Sequence, residues 1–304
     1  MNKLFGAALA ATTMMAFMVS APAKTVKPKL NVVMAGSPGG TFNSFNKELV
    51  KDLEQFYDVT KIPGRSEIKG NALFHSIKGD ATYIMTVTAF QNARTQSQKL
   101  PEFHPNLQSS YMVMGISYYK AICVAAGKNV DDVFKAGGSL RMGLTEGIGP
   151  SNKYVDNLNK LFNTKHIMVP YRSSGKLATA LITGEVDLSL LNEAKALKFM
   201  KSNQVTCNYT QNPNGGNGFL SLKDKVKDSW FGWKYSAFLI GHVKNVDGAF
   251  SKQLHKTILA FYRDPNSNAS KKLKANGWFG ETLSQDGIFK KYKSVFNDTI
   301  ELLK

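Results

Sequence analysis

The chain has 304 residues, 43% of them hydrophobic, with two cysteines and a formal charge of +17. That length exceeds what one core comfortably serves, so two domains are expected, and the composition excludes a disordered, collagenous or disulfide-scaffold chain. The lysines fall at helical spacing, as at Lys271, Lys272 and Lys274 and again at Lys290, Lys291 and Lys293. They form no arginine-rich arm, so the charge reads as solvated helix faces whose field speeds the arrival of small anions, and no nucleic-acid partner is expected.

Residues 1–23 read as a secretory signal peptide. Lys3 is the charged start, Leu4 to Val19 is the apolar stretch, and Ala21-Pro22-Ala23 is a small-x-small cleavage site. The expected location is therefore periplasmic. No cysteine stands at the cleavage point, which argues against a lipid anchor, and Lys24–Lys29 forms a short polar tether. No later segment approaches the roughly 18 uninterrupted apolar residues needed to span a membrane.

From there the sequence alternates short apolar runs with amphipathic stretches. Strands are predicted at Leu30–Ala35, Tyr83–Val87, Ala121–Ala125, Leu140–Leu144, His166–Val169, Val186–Leu190 and Ala237–Gly241. Such runs suit strands covered on both faces. Between them, Phe42, Phe45, Leu49, Leu53 and Phe56 mark one buried helix face, as do Leu158, Leu161 and Phe162, and then Leu177, Leu181 and Ile182. Asn208–Trp233 reads as a surface loop around Asn212-Pro213-Asn214-Gly215-Gly216-Asn217-Gly218. The last fifty-odd residues read as helical. Phe250, Leu254, Ile258 and Phe261 make one face, Asp264-Pro265 opens the next helix, Asn276-Gly277 stops it, and Ser284 caps the last, which runs to Leu303. Alternating strands and helices predict an α/β fold with mostly parallel sheets, whose ligands bind outside the carboxyl ends of the strands. Cys123 and Cys207 both lie in strand-like segments, and either a bridge or two buried thiols fits them.

Two turns stand out. Gly36-Ser37-Pro38-Gly39-Gly40 follows the first strand and precedes a helix opening at Thr41; Gly147-Ile148-Gly149-Pro150 does the same before Ser151. Each offers unpaired N–H groups and a positive dipole end to an anion. Two such turns, over 100 residues apart, point to two lobes gripping one anion. Thr41, Asn43, Ser151 and Asn152 supply further donors, though each also suits a helix cap. Arg172 suits a bidentate grip on a carboxylate or a solvated cation, and Tyr171 suits a cover over a ligand or a core-edge aromatic. Asp187 suits an acceptor for a ligand amine or hydroxyl, or a local cap. No metal or cofactor is called for: the five histidines have no metal-helix spacing, there is no Cys-x-x-Cys, no Gly-x-Ser-x-Gly, and the first glycine turn lacks a phosphate-loop lysine. The chain is read as a binding protein, not an enzyme; a binding protein of another transporter class, a sensory receptor and a periplasmic enzyme in the same cleft are the alternatives.

Together these segments resemble the extracytoplasmic solute receptors of tripartite tricarboxylate transporters, the Bug family. Gly39-Gly40-Thr41-Phe42-Asn43 is similar to that family's Gly-Gly-x-x-Asp turn, with Asn43 in place of the Asp. Thr88-Ala89 after the Tyr83–Val87 strand resembles its second binding loop, and Gly147 to Ser151 resembles the glycine-serine loop of its second domain. Val169-Pro170-Tyr171-Arg172 with Gly184-Glu185-Val186-Asp187 resembles the family's VPYKG and GxVD pair, with Arg172-Ser173-Ser174 where Lys-Gly-Gly is usual. Asp264-Pro265 with Leu273 and Gly277 looks like its C-terminal segment. The resemblance implies a two-lobed periplasmic-binding-protein fold with a hinge and a central cleft. It divides the chain into 24–124 plus 246–304 and 125–245. It also implies that a small organic anion, a di- or tricarboxylate or an aromatic acid, is held by Gly39, Gly40, Thr41, Asn43, Thr88, Ala89, Gly147, Gly149, Ser151, Asn152, Tyr171, Arg172 and Asp187. Membrane transporter subunits are then the partners, and the receptor is expected to be a monomer.

Overall fold

The computed structural model describes residues 26–34, 40–64, 83–88, 110–145, 150–171, 173–226, 235–242 and 248–303. Within these, two six-stranded mixed sheets organise the chain. The first contains β1 (Lys29–Met34), β2 (Asp58–Pro63), β3 (Tyr83–Thr88), β4 (Ser110–Tyr118), β11 (Tyr235–His242) and β12 (Trp278–Gly280), in the order β12-β4-β11-β3-β1-β2. β1 runs parallel to β2 and β3, with Val33 beside Ile62 and Met85, while β11 runs antiparallel between β3 and β4. The second contains β5 (Lys120–Ala125), β6 (Arg141–Leu144), β7 (Ile167–Pro170), β8 (Leu188–Asn192), β9 (Val205–Thr210) and β10 (Leu220–Ser221), in the order β10-β9-β5-β8-β6-β7. Here β6, β7 and β8 are parallel and β5 is antiparallel between β8 and β9.

Helices cover the sheets because each has one apolar stripe to bury. α1 (Thr41–Leu53) lays Phe45, Leu49 and Leu53 on Leu30, Val32 and Met34 of β1, in a core that also takes Leu254 and Ile258 of α6 (Gly248–Arg263) and Leu273 of α7 (Asn268–Asn276). α1 and α7 are locked together by Asp52. Its buried carboxylate accepts from the backbone N–H groups of Asn268 and Ala269, at 3.1 and 2.7 Å, and so binds the start of α7. In the second lobe β5 is buried along its whole length. Its Ile122 and Val124 face Tyr154 and Leu158 of α2 (Pro150–Phe162), and its Ala121 and Cys123 share a core with Leu177 and Leu181 of α3 (Ser174–Ile182) and Ala196 of α4 (Glu193–Lys201). That double cover is why the strand reads as an unbroken apolar run. Gly143 in β6 lets α3 lie directly on the sheet: a Cβ there would stand 2.4 Å from a Leu177 methyl. Cys123 and Cys207, opposite each other on β5 and β9, are joined in a disulfide.

The chain passes between lobes at Tyr119, the single residue separating β4 in the first sheet from β5 in the second. It returns between α5 (Leu222–Val226) and β11. The expected division at 124 and 245 therefore misplaces both crossing strands: β5 pairs in the second sheet and β11 in the first. An apolar strand looks the same in sequence whichever sheet it joins. Smaller departures have local causes. Phe56 lies past the end of α1 and is 52% exposed, and Leu161 is 48% exposed, so neither belongs to its predicted buried face. α7 starts after Ser267, which accepts from the Ser270 N–H, and not at Pro265. The expected 208–233 loop contains the end of β9, β10 and α5. By contrast, α7 does stop at Gly277, in the left-handed region at φ 64°, and Ser284 accepts from the Gly287 N–H at the start of α8 (Gln285–Leu303).

Candidate functional site

In chain order β1 leads to α1 in the first lobe, and β6, β7 and β8 lead to α2, α3 and α4 in the second. Gly40 is the N-cap of α1, buried, with φ −70° and ψ 156°, and no side chain caps the helix start. The first turn of α1 carries no acidic residue. Its leading N–H groups thus keep their donor capacity and their positive field.

The start of α3 meets α1 from the other lobe. The hydroxyls of Thr41 and Ser174 are 3.1 Å apart, although the residues are 133 positions apart in sequence. Thr41 is the first residue of α1 and Ser174 the first of α3, so two helix N-termini face one another across the lobes. Ser173 caps α3 by accepting from the Lys176 N–H at 3.3 Å. Lys195, the third residue of α4, reaches into the same corner and donates from Nζ to the Ser174 carbonyl at 3.0 Å. Burial, then repulsion from Lys198, pushes the Lys195 pKa down.

A pocket of about 510 Å³ opens on the same side, between α4 and the α7–β12 corner. Glu193, Ala194 and Asn217 line it from one lobe, and Lys274, Trp278 and Phe279 from the other. Burial raises the Glu193 pKa, and hydrogen bonds from Thr210 and Asn217 oppose that rise only in part. Phe42 of the first turn of α1 packs against Trp278, ring centroids 5.1 Å apart, so the helix start rests on a rigid aromatic base.

The sequence-predicted residues do not all gather in one place. Gly40, Thr41 and the half-buried Asn43 gather at the start of α1. Ser151 and Asn152 lie in the first turn of α2, and Thr88 ends β3. Gly39, Ala89, Gly147, Gly149 and Arg172 lie outside the described residues. Tyr171 and Asp187 turn out to serve elsewhere. The Tyr171 hydroxyl donates to Glu185 at 2.8 Å, and its ring packs on the α3 core, making it a core-edge aromatic. Asp187 precedes β8, at the amino end of the parallel strands. Its carboxylate accepts from the Arg141 backbone N–H at 2.9 Å, from Arg141 Nε at 3.0 Å, and from Lys128 at 2.5 Å. A carboxylate so engaged, at the opposite end of the sheet, ties loops together and is not available to a ligand near α1.

Ser174 and Lys195 were not singled out from sequence. Ser173-Ser174 before an apolar helix looks like an ordinary cap, and a lysine in a polar helical stretch looks solvated. Among the described residues no group of three metal-ligating side chains exists, and no helix is long and apolar enough to cross a membrane.

By sequence, no protein-family model and no curated protein matches the chain. Its backbone nevertheless superposes on solved structures along most of its length. A protein described as a periplasmic transporter matches with TM-score 0.75 at 13% identity, covering 92% of this chain and 97% of that one. The periplasmic binding protein BugD matches with TM-score 0.70 at 13% identity, covering 91% and 96%. MatC from Rhodopseudomonas palustris with bound malate matches with TM-score 0.68 at 10% identity, covering 91% and 99%. The chain has the two-lobed fold of periplasmic binding proteins. At such identities the likeness extends to the path of the backbone and not to the side chains of the site.

Proposed function

We propose that this chain is a periplasmic solute receptor of the tripartite tricarboxylate transporter type, which captures a small organic carboxylate between its lobes and delivers it to membrane subunits. The carrying observation is the contact between Thr41 and Ser174, which sets the starts of α1 and α3 against each other from opposite lobes. The uncapped N–H groups after Gly40 take one carboxylate oxygen pair, and the turn ahead of α2 takes part from the other lobe. Thr41, Asn43, Thr88, Ser151 and Asn152 adjust the fit, with Gly39, Ala89, Gly147, Gly149 and Arg172 completing it. Hinge motion at the Tyr119 crossing closes the lobes, because a ligand that touches both stabilises the closed arrangement over the open one. In support, the proteins of this fold include one with bound malate and, from R. palustris, one with adipate.

The test is a thermal-shift screen of the purified protein against organic acids, with each acid assayed for consumption. A receptor is stabilised as RT ln(1 + [L]/Kd) and leaves the acid intact. Steady conversion of a stabilising acid would make the protein an enzyme instead.

A further inference from the structure

Lys195 is an anomaly of charge placement. Its ammonium carries three donors and no acceptor. One donor goes to the Ser174 carbonyl, and among the described residues no carboxylate pairs with it. A half-buried cation normally has an anionic partner, since burial without one costs free energy. The position worsens that cost. Lys195 lies in the first turn of α4 and reaches the first residue of α3, which itself touches the first residue of α1. Cations are disfavoured at helix N-termini, and here three are close by. Glu193, the acidic residue of the same turn, is engaged by Thr210 and Asn217 and does not pair with Lys195, so among the described residues no charge partner meets this ammonium at the place where the two lobes meet.

We propose that Lys195 supplies the countercharge for the bound ligand and makes the receptor selective for anions over their neutral analogues. The assignment rests on the carboxylate-receptor reading above and adds to it a specificity-determining residue from α4. The backbone N–H groups after Gly40 act through partial charges and accept any oxygen-rich group; a full positive charge beside them discriminates a carboxylate from an amide. The ligand, in turn, relieves the electrostatic cost that Lys195 imposes on the ligand-free protein.

The experiment titrates wild type, Lys195→Gln and Lys195→Arg with acetate, malate, adipate, citrate and benzoate, and with adipamide as a neutral control, and records the melting temperature of each ligand-free variant. Charge-assisted hydrogen bonds set the expected scale, a loss on the order of ten- to a hundredfold in affinity for the preferred acid in Lys195→Gln. Lys195→Arg, which keeps the charge, should retain most of the affinity. The ligand-free melting temperature of Lys195→Gln should hold or rise, because an unpaired charge has been removed. Unchanged affinity in Lys195→Gln would overturn the assignment while leaving the carboxylate reading intact. A lower ligand-free melting temperature with unaltered acid-over-amide preference would make Lys195 a structural residue and also overturn it. Failure of every acid to bind wild type would remove the carboxylate reading, and this assignment with it.

Discussion

Thr41 and Ser174 place their hydroxyl oxygens 3.1 Å apart, each at the first position of a helix from a different lobe. This is a hydrogen bond between elements that share no sheet and no core, so it reports on how closely the lobes approach. Thr41→Val keeps the shape and removes the hydroxyl. Loss of one such bond is worth about 1 kcal/mol. The variant should therefore bind its carboxylate several-fold more weakly, with a ligand-free melting temperature close to wild type. Calorimetric titration beside a melting curve checks both halves.

Gly40 has φ −70° and ψ 156°, a conformation open to every residue. Backbone strain is thus no reason for glycine there; in the proposed site, the missing side chain lets a carboxylate approach the main chain. Gly40→Val should fold with near-normal secondary structure, while ligand-induced stabilisation disappears. A folded Gly40→Val that binds normally would remove the start of α1 from the site.

The Cys123–Cys207 disulfide closes a loop of 84 residues between two central strands of the second sheet. Replacing both cysteines by alanine should cost about 2–4 kcal/mol, mainly by loosening the unfolded chain less tightly tied without the bridge. Urea denaturation of the oxidised protein and the double variant reads this directly. The lobe carrying β5 and β9 should be the one weakened, visible as faster hydrogen exchange there.

Two carboxyls, the half-buried Asp187 and the buried Glu193, give opposite pH dependences. Burial alone would raise the Asp187 pKa, but hydrogen bonds from Arg141 and Lys128 outweigh it and hold the carboxyl well below its usual range. A depressed folded pKa gives stability that is present above the unfolded value of about 3.9 and is lost as pH falls below it. Arg141 and Lys128 are about half exposed, so solvent screening limits the cost of Asp187→Asn to about 1 kcal/mol. Glu193 behaves inversely. Burial raises its folded pKa, so stability falls as pH rises through the unfolded value of about 4.3, where the unfolded carboxyl ionises first, and levels off once the folded carboxyl ionises too. Glu193→Gln should flatten that decline and stabilise the protein at neutral pH. Melting temperatures from pH 3 to pH 8 separate the two signs.

Much of the lobed α/β plan can be read from the apolar runs, because strands buried on both faces, such as β5, leave an unmistakable stretch like Ala121–Ala125. The start of α1 is equally readable, since glycines followed by small polar residues announce a helix N-terminus. Edge elements are harder. β2, with the sequence DVTKIP, is mostly exposed and shows no apolar run. The crossing at Tyr119 leaves no local mark, because β4 and β5 are adjacent in sequence and belong to different sheets. Tyr171 and Asp187 show the limit for sites: each follows or precedes a strand, but only the fold reveals that one leans on Glu185 and the other sits at the amino end of its sheet. Lys195 could not be picked out at all, since its significance comes from Ser174 and Thr41, far away in the chain.

In the proposed receptor one carboxylate is held from both lobes at once. Hydrogen exchange, measured with and without the best-stabilising acid of the screen, tests it most directly. Protection should appear together, and at the same ligand concentration, in the amides of residues 39–43 and 147–152. Protection confined to one of these segments, or absent from both while the acid still binds, would mean that the acid is not gripped by both lobes.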